Sequence, residues 1–159
     1  FLPLYGTHSG LDEATAVTML TVLLAGTTII QLPLGWLADR LPVRHLLIGV
    51  TVVILLGWAA IPAATGTPLL WPTLLLLGCA VGGLWTVSLI LVGERFEGAD
   101  IAAANTARSV LYGLGAFGGP ALAGVALELW DPHGVPLVII VVGLLFLPVA
   151  LFAERPPRG

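Results

Sequence analysis

The sequence predicts an all-α, polytopic membrane helix bundle, with five full transmembrane helices plus a stub, on three grounds. Apolar residues make up 58% of the chain and charged residues 9%, with a mean hydropathy of +1.05. A soluble domain carries about 25% charged residues, so lipid must be the solvent for much of this chain. The apolar residues also fall in unbroken runs of the length a helix needs, about 20 residues, to cross the hydrocarbon core. Finally, the runs are continuously apolar, unlike the alternating strands of a membrane barrel, and only helices and closed barrels satisfy the backbone in lipid.

The spans follow in order. The chain opens Phe1-Leu2-Pro3-Leu4-Tyr5, without Met or a basic leader region, and so does not read as a signal peptide. Residues 1–6 are expected to be the last turns of an interrupted apolar segment, and the chain a fragment. Ala14 to Ala38 is uncharged and predicts a span over 14–38, bent at Pro33. Leu46 to Gly93 is uncharged and long enough to cross twice, with a turn at Pro62 to Pro68, giving spans 45–64 and 69–93. After a charged loop, Glu94 to Asp100, Ile101 to Leu127 is apolar apart from Asn105 and Arg108, giving span 101–127. Pro132 to Ala153 is uncharged and predicts span 135–153.

Alternating these spans puts Arg40, Arg44, Arg95, Arg155 and Arg158 on one side, while the loops of the other side carry no Arg. The positive-inside rule places the arginine side, with the C-terminus, in the cytoplasm. A multi-pass protein of a cell membrane is expected, either the bacterial (cell inner membrane) or the archaeal cytoplasmic membrane. Tyr5, Trp36, Trp71 and Trp130 fall near the predicted interfaces, as an aromatic belt does.

Other classes are disfavoured. The net charge of −3 is small, and no basic cluster points to nucleic acid. The complete lack of lysine is read as genomic base composition. A lone Cys79 excludes an internal disulfide and a cysteine metal site. Neither H-E-x-x-H nor G-x-S-x-G occurs, and no His lies deep within a span to activate Ser88 or Ser109. No enzyme activity, cofactor or metal is expected.

Two stretches resemble a known family. Gly35-Trp36-Leu37-Ala38-Asp39-Arg40-Leu41-Pro42-Val43-Arg44 resembles the G-x-x-x-D-R-x-G-R-R signature of the major facilitator superfamily, which joins the second and third helices of each six-helix half. Pro42 and Val43 depart from that pattern. Gly115-Ala116-Phe117-Gly118-Gly119-Pro120-Ala121-Leu122-Ala123-Gly124 resembles the G-x-x-x-G-P-x-x-x-G pattern of the drug antiporters. The stretch from Gly93 to Gly115 is also similar to bacterial drug- and sugar-efflux-like members. Counting the stub as a first helix, both motifs occupy matching ordinal positions. The resemblance implies that residues 1–159 are the C-terminal six-helix half of a twelve-helix secondary transporter. Its partners would be the lipid bilayer, an N-terminal six-helix half and a small organic solute, moved by alternating access. It further implies a conformational gate at Gly35, Asp39, Arg40, Arg44 and Glu94. Gly35 would permit close helix approach, and the arginines would pair with Glu94, Glu97 or Asp100. A helix-packing motif is implied at Gly115, Gly119, Pro120 and Gly124, and outward transport rests on that motif alone.

Polar stripes supply the candidate cavity. Thr21, Thr28, Gln31, Gly35 and Asp39 share one face of span 14–38. Asn105, Arg108, Tyr112, Gly115 and Gly119 share one face of span 101–127. Gly78, Gly82, Trp85 and Ser88 share a face of span 69–93. Gln31, Trp85, Thr86, Asn105, Arg108 and Tyr112 are the candidate cavity residues. Each stripe also fits ordinary interhelical contact, Gly78-x-x-x-Gly82 above all. An intramembrane arginine is costly and is by default a functional candidate, though Arg108 could instead snorkel to headgroups or pair with Glu94 or Asp39. No acid lies deep in a span, so proton coupling, if the protein uses it, would draw its titrating group from the other half. His8 and His133 read as solvated loop residues. The competing class is a non-transporting structural, regulatory or receptor-like membrane protein on the same scaffold.

Overall fold

The protein, represented by a computed structural model, is described over residues 2–131 and 133–152, the side chains of Val149 and Phe152 excepted. The expected start of the stub at Phe1, the end of the last span at Ala153, and Arg155 and Arg158 lie outside the described residues. Those residues form helices joined by short turns, without a strand. The helices are α1 Leu2–His8, α2 Glu13–Ile29, α3 Gln31–Ala38, α4 Val43–Ala64, α5 Leu70–Arg95, α6 Ala99–Leu129 and α7 Gly134–Phe152.

Four stretches have the length and apolarity of a membrane span: Glu13–Ala38, Val43–Ala64, Leu70–Arg95 and Ala99–Leu129. Helix α7 is apolar over Gly134–Pro148. Its full 19 residues reach about 28 Å at 1.5 Å per residue, close to the hydrocarbon thickness. The predicted helical membrane bundle is therefore present, with four helices of spanning length and apolarity and α7 a shorter apolar one. The helices begin or end a few residues beyond the predicted limits because their terminal turns carry the charges, Arg44 in α4, Arg95 in α5 and Asp100 in α6.

Pro33, expected to bend the first span, interrupts its hydrogen-bond ladder. Lacking an N–H, it leaves the Ile29 carbonyl without its helical donor, and the helix breaks at Ile30. The ladder resumes on either side: the Ile30 amide donates to Gly26 O at 3.2 Å and the Leu34 amide to Ile30 O at 2.9 Å. Asp12 caps α2, accepting from the Thr15 amide at 3.0 Å and from the Thr15 hydroxyl at 2.6 Å. These bonds favour the ionised carboxylate and hold its pKa below the ordinary value. Within the helices, threonine hydroxyls turn back onto their own backbone, as Thr51 does on Leu47 O at 2.7 Å. That satisfies a polar group where lipid offers no partner. Thr21 and Thr28 bond in the same way to Val17 O and Leu24 O.

Helix α5 is the central element, packed on α2 and α4, and α4 in turn packs on α7. The α2–α5 contact is a backbone approach through glycines. A Cβ at Gly82 would lie 2.5 Å from the Thr27 carbonyl oxygen, and one at Gly26 would lie 2.9 Å from the Cys79 nitrogen. Gly78-x-x-x-Gly82 is thus a close helix contact. Two apolar clusters fill the bundle. Tyr5, Met19, Trp58, Leu74 and Leu77 anchor the larger, and Leu34, Leu46, Leu47 and Val87 the smaller. Helix α6 is peripheral: its buried residues are Ala123 and Leu127, and from Ser109 to Leu122 its residues face outward except the half-buried Gly113.

Candidate transport site

Arg108 lies nine residues into α6, about 14 Å along the helix axis. Its guanidinium rests over the Trp85 ring of α5, 4.2 Å from the ring centroid, well inside cation–π range. Nη1 donates to Ser88 Oγ across a long 3.4 Å, and Ser88 Oγ donates in turn to the Trp85 carbonyl at 2.6 Å. Tyr112, one turn beyond Arg108, meets Trp85 edge to face, with centroids 5.0 Å apart and planes at 72°. Arg108 and Tyr112 share a face of α6, and Trp85 and Ser88 share a face of α5, so helical periodicity alone aligns the four.

Two groups in this cluster are unsatisfied. Asn105 Oδ1 and Arg108 Nε are buried and have no hydrogen-bond partner. Buried polar atoms are ordinarily bonded, so an orphaned donor and an orphaned acceptor three residues apart mark the cluster off from packing. The aromatic rings remain open: Trp85 is 41% and Tyr112 61% exposed.

Of the candidate cavity residues, the structure brings Trp85, Asn105, Arg108 and Tyr112 to one place. Thr86 points its hydroxyl back to Gly82 O at 3.2 Å. Gln31 is exposed at the α2–α3 bend, and no described hydrogen bond or ring contact joins it to the cluster. Ser88 is the member that sequence reasoning left out of the cavity. Its place one turn after Trp85 was the available signal. Arg108 takes Ser88 and Trp85 as partners, neither Glu94 nor Asp39.

At the arginine-bearing end, the expected gate residues are arranged otherwise than as ion pairs. Arg40 lies over the Trp36 ring, 3.8 Å from its centroid, and Arg44 Nη2 donates to the Leu151 carbonyl, tying α4 to α7. Asp39 closes α3 as its C-cap and Glu94 is exposed in the last turn of α5. Neither Arg40 nor Arg44 is paired with an acid among the described residues. Arg40, in the turn after α3, lies one turn along the chain from Trp36, whereas Glu94 is on α5. Gly35, expected at a close helix contact, has nothing within 4 Å of where a Cβ would stand. The same holds for Gly115, Gly119 and Gly124, and Pro120 is exposed. The expected packing motif therefore has no packing partner among the described residues, because α6 turns that face away from the bundle.

At the opposite end, His8 is not simply solvated. Its Nδ1 lies 2.7 Å from Asp131 Oδ1, joining α1 to the α6–α7 turn.

A bundle of apolar helices, with a cation and open aromatic rings set within two of its spans, defines a polytopic membrane protein. The family model of the Major Facilitator Superfamily matches residues 1–159. The chain belongs to that superfamily. It is 30% identical over 156 residues to an "Uncharacterized MFS-type transporter" of Yersinia pestis (strain Pestoides F), an alignment covering 98% of this chain and 39% of that protein. A relative with the same description in Yersinia enterocolitica is 30% identical over 151 residues, 94% of this chain and 38% of that protein. One from Salmonella paratyphi B is 28% identical over 151 residues, with the same two coverages. The chain thus spans about two-fifths of the length of these relatives. No solved structure matches it.

Proposed function

We propose that residues 1–159 are the C-terminal six-helix half of a secondary transporter that moves a small organic solute by alternating access. The α5–α6 cluster would line its central cavity. The observation that carries this reading is the outward-facing surface of α6. That surface holds the open ring of Tyr112, and its glycines meet no neighbour among the described residues. A second half rocking against α6 would cover those glycines and close a cavity over Trp85 and Arg108. Asp39, Arg40, Arg44 and Glu94 form the gate at the end that faces the cytoplasm. The resemblance of α6 to the drug-antiporter pattern favours outward transport.

The test is transport by the full-length protein in proteoliposomes loaded with a panel of labelled small organic solutes. Saturable exchange of at least one solute, lost when Arg108 and Trp85 are replaced together in a protein that still folds, supports the reading. Correctly folded protein that exchanges nothing across the panel favours a non-transporting membrane protein on the same scaffold.

A further inference from the structure

Every acid among the described residues lies at a helix end or in a loop, whereas Arg108 is well inside a span. The guanidinium has five N–H donors and is always charged. Within the described chain its contacts are the Trp85 ring, the Ser88 hydroxyl at 3.4 Å and no carboxylate. A charge in a low-dielectric setting is costly unless it meets an opposite charge and has its hydrogen bonds filled. Here both the charge and the Nε donor are left unfilled.

The way Arg108 is held suggests what fills it. The Arg108 guanidinium carbon lies 4.2 Å from the centroid of the Trp85 ring, and that contact holds the cation in place. The N–H groups of a guanidinium point out along the edges of its plane, the geometry that grips a carboxylate with two parallel bonds. Asn105 stands three residues earlier on the same face, and its Oδ1 is bonded to nothing. No bond to that oxygen fixes the amide, so its NH2 can turn toward a bound anion. Beside the cation, Tyr112 and Trp85 present open aromatic surface, which suits a ring and not a bare inorganic ion.

The geometry points to a site for a small aromatic carboxylate, with its carboxylate on Arg108 and Asn105 and its ring against Tyr112 and Trp85. This inference deepens the transport reading by naming a substrate class for the same site. The competing source of negative charge is an acid on the remainder of the full-length protein, and the test separates the two.

The full-length protein in nanodiscs is titrated by calorimetry with benzoate and with benzamide, its uncharged counterpart. The expected result is saturable binding of benzoate and none of benzamide over the same range. Arg108→Gln should weaken benzoate by about tenfold or more, the scale of a lost hydrogen bond to an ion. Arg108→Lys should retain part of the affinity, and Trp85→Ala should weaken it by misplacing the guanidinium. Equal binding of the two probes, absence of benzoate binding, or unchanged binding in Arg108→Gln overturns the inference. So does a charge-swap in which Arg108→Glu is rescued by a basic residue placed on the other half, since the arginine is then paired within the protein. If Arg108→Gln does not fold, Arg108→Lys decides, because a changed benzoate affinity in that variant supports the site and an unchanged one removes it. Transport of other solutes without benzoate binding removes this inference alone, whereas benzoate binding without any transport removes the transport reading alone.

Discussion

A Cβ on Gly82 would stand 2.5 Å from the carbonyl oxygen of Thr27, so α5 and α2 touch backbone to backbone at that point. The neighbour is main chain and cannot rotate away. Gly82→Ala should therefore force the two helices apart and destabilise the protein by about 1–3 kcal/mol, the range for overpacking. Gly49, on α4, has open space around it, and Gly49→Ala should stabilise by roughly 0.5–1 kcal/mol through helix propensity. Melting of the two purified variants checks the contrast, and equal shifts would contradict the packing described.

Gly119→Ala separates this bundle from the complete protein. Its Cβ would meet nothing in the chain described, so the α6 helix itself should tolerate the change. In the full-length protein, where a second half is proposed to lie against this face, the same substitution should lower the melting temperature and slow transport. Full-length protein indifferent to Gly119→Ala and to Gly115→Ala would argue against a closely packed partner there.

Asp12 provides a pH test outside the membrane. Its carboxyl is held below the ordinary value of 3.8, first by the Thr15 hydroxyl and then by the Thr15 amide. A carboxylate whose folded pKa is depressed stabilises the folded state above the unfolded pKa, and that contribution is lost as pH falls through the folded value. The Asp12 resonance should therefore titrate with a midpoint below 3.8. Thr15→Val, which removes the hydroxyl and keeps the amide, should move that midpoint upward. An unmoved midpoint would mean that the side-chain bond is not the main cause.

The fold was legible because lipid permits so few solutions. Long apolar runs forced the spans, and Pro33 forced the break at Ile30, each through the backbone's need for hydrogen bonds. Arg108 was legible because an arginine at membrane depth is conspicuous, and Tyr112 and Asn105 followed from helical spacing on the same stripe. What sequence periodicity does not carry is which face meets which neighbour. It therefore missed Ser88 as the partner of Arg108, and it missed the His8–Asp131 pair, whose members are 123 residues apart. For the same reason it could not tell that Gly35 meets no neighbour within the described chain, whereas Gly26 joins Gly78 and Gly82 at the α2–α5 contact.

Disturbing the cation and its aromatic platform should have separable effects on transport. Arg108→Lys keeps the charge but loses the planar guanidinium and its paired donors, so transport should fall while folding is kept. Trp85→Phe keeps a weaker ring under the guanidinium and should be milder than Trp85→Ala. Initial rates in proteoliposomes order the variants, and Trp85→Ala as active as Trp85→Phe would deny the platform its role.

The α5–α6 cluster is proposed to face a cavity that opens to each side of the membrane in turn. Tyr112→Cys, in full-length protein with Cys79→Ala to remove the other thiol of this chain and any thiols elsewhere replaced, tests this. A membrane-impermeant thiol reagent is applied to right-side-out and to inside-out vesicles. Tyr112→Cys should be labelled from both sides, with solute or gate variants shifting the balance between them. Labelling from neither side would place the residue against lipid or in a packed interface and would contradict the account, and labelling from one side only, under every condition, would contradict alternating access.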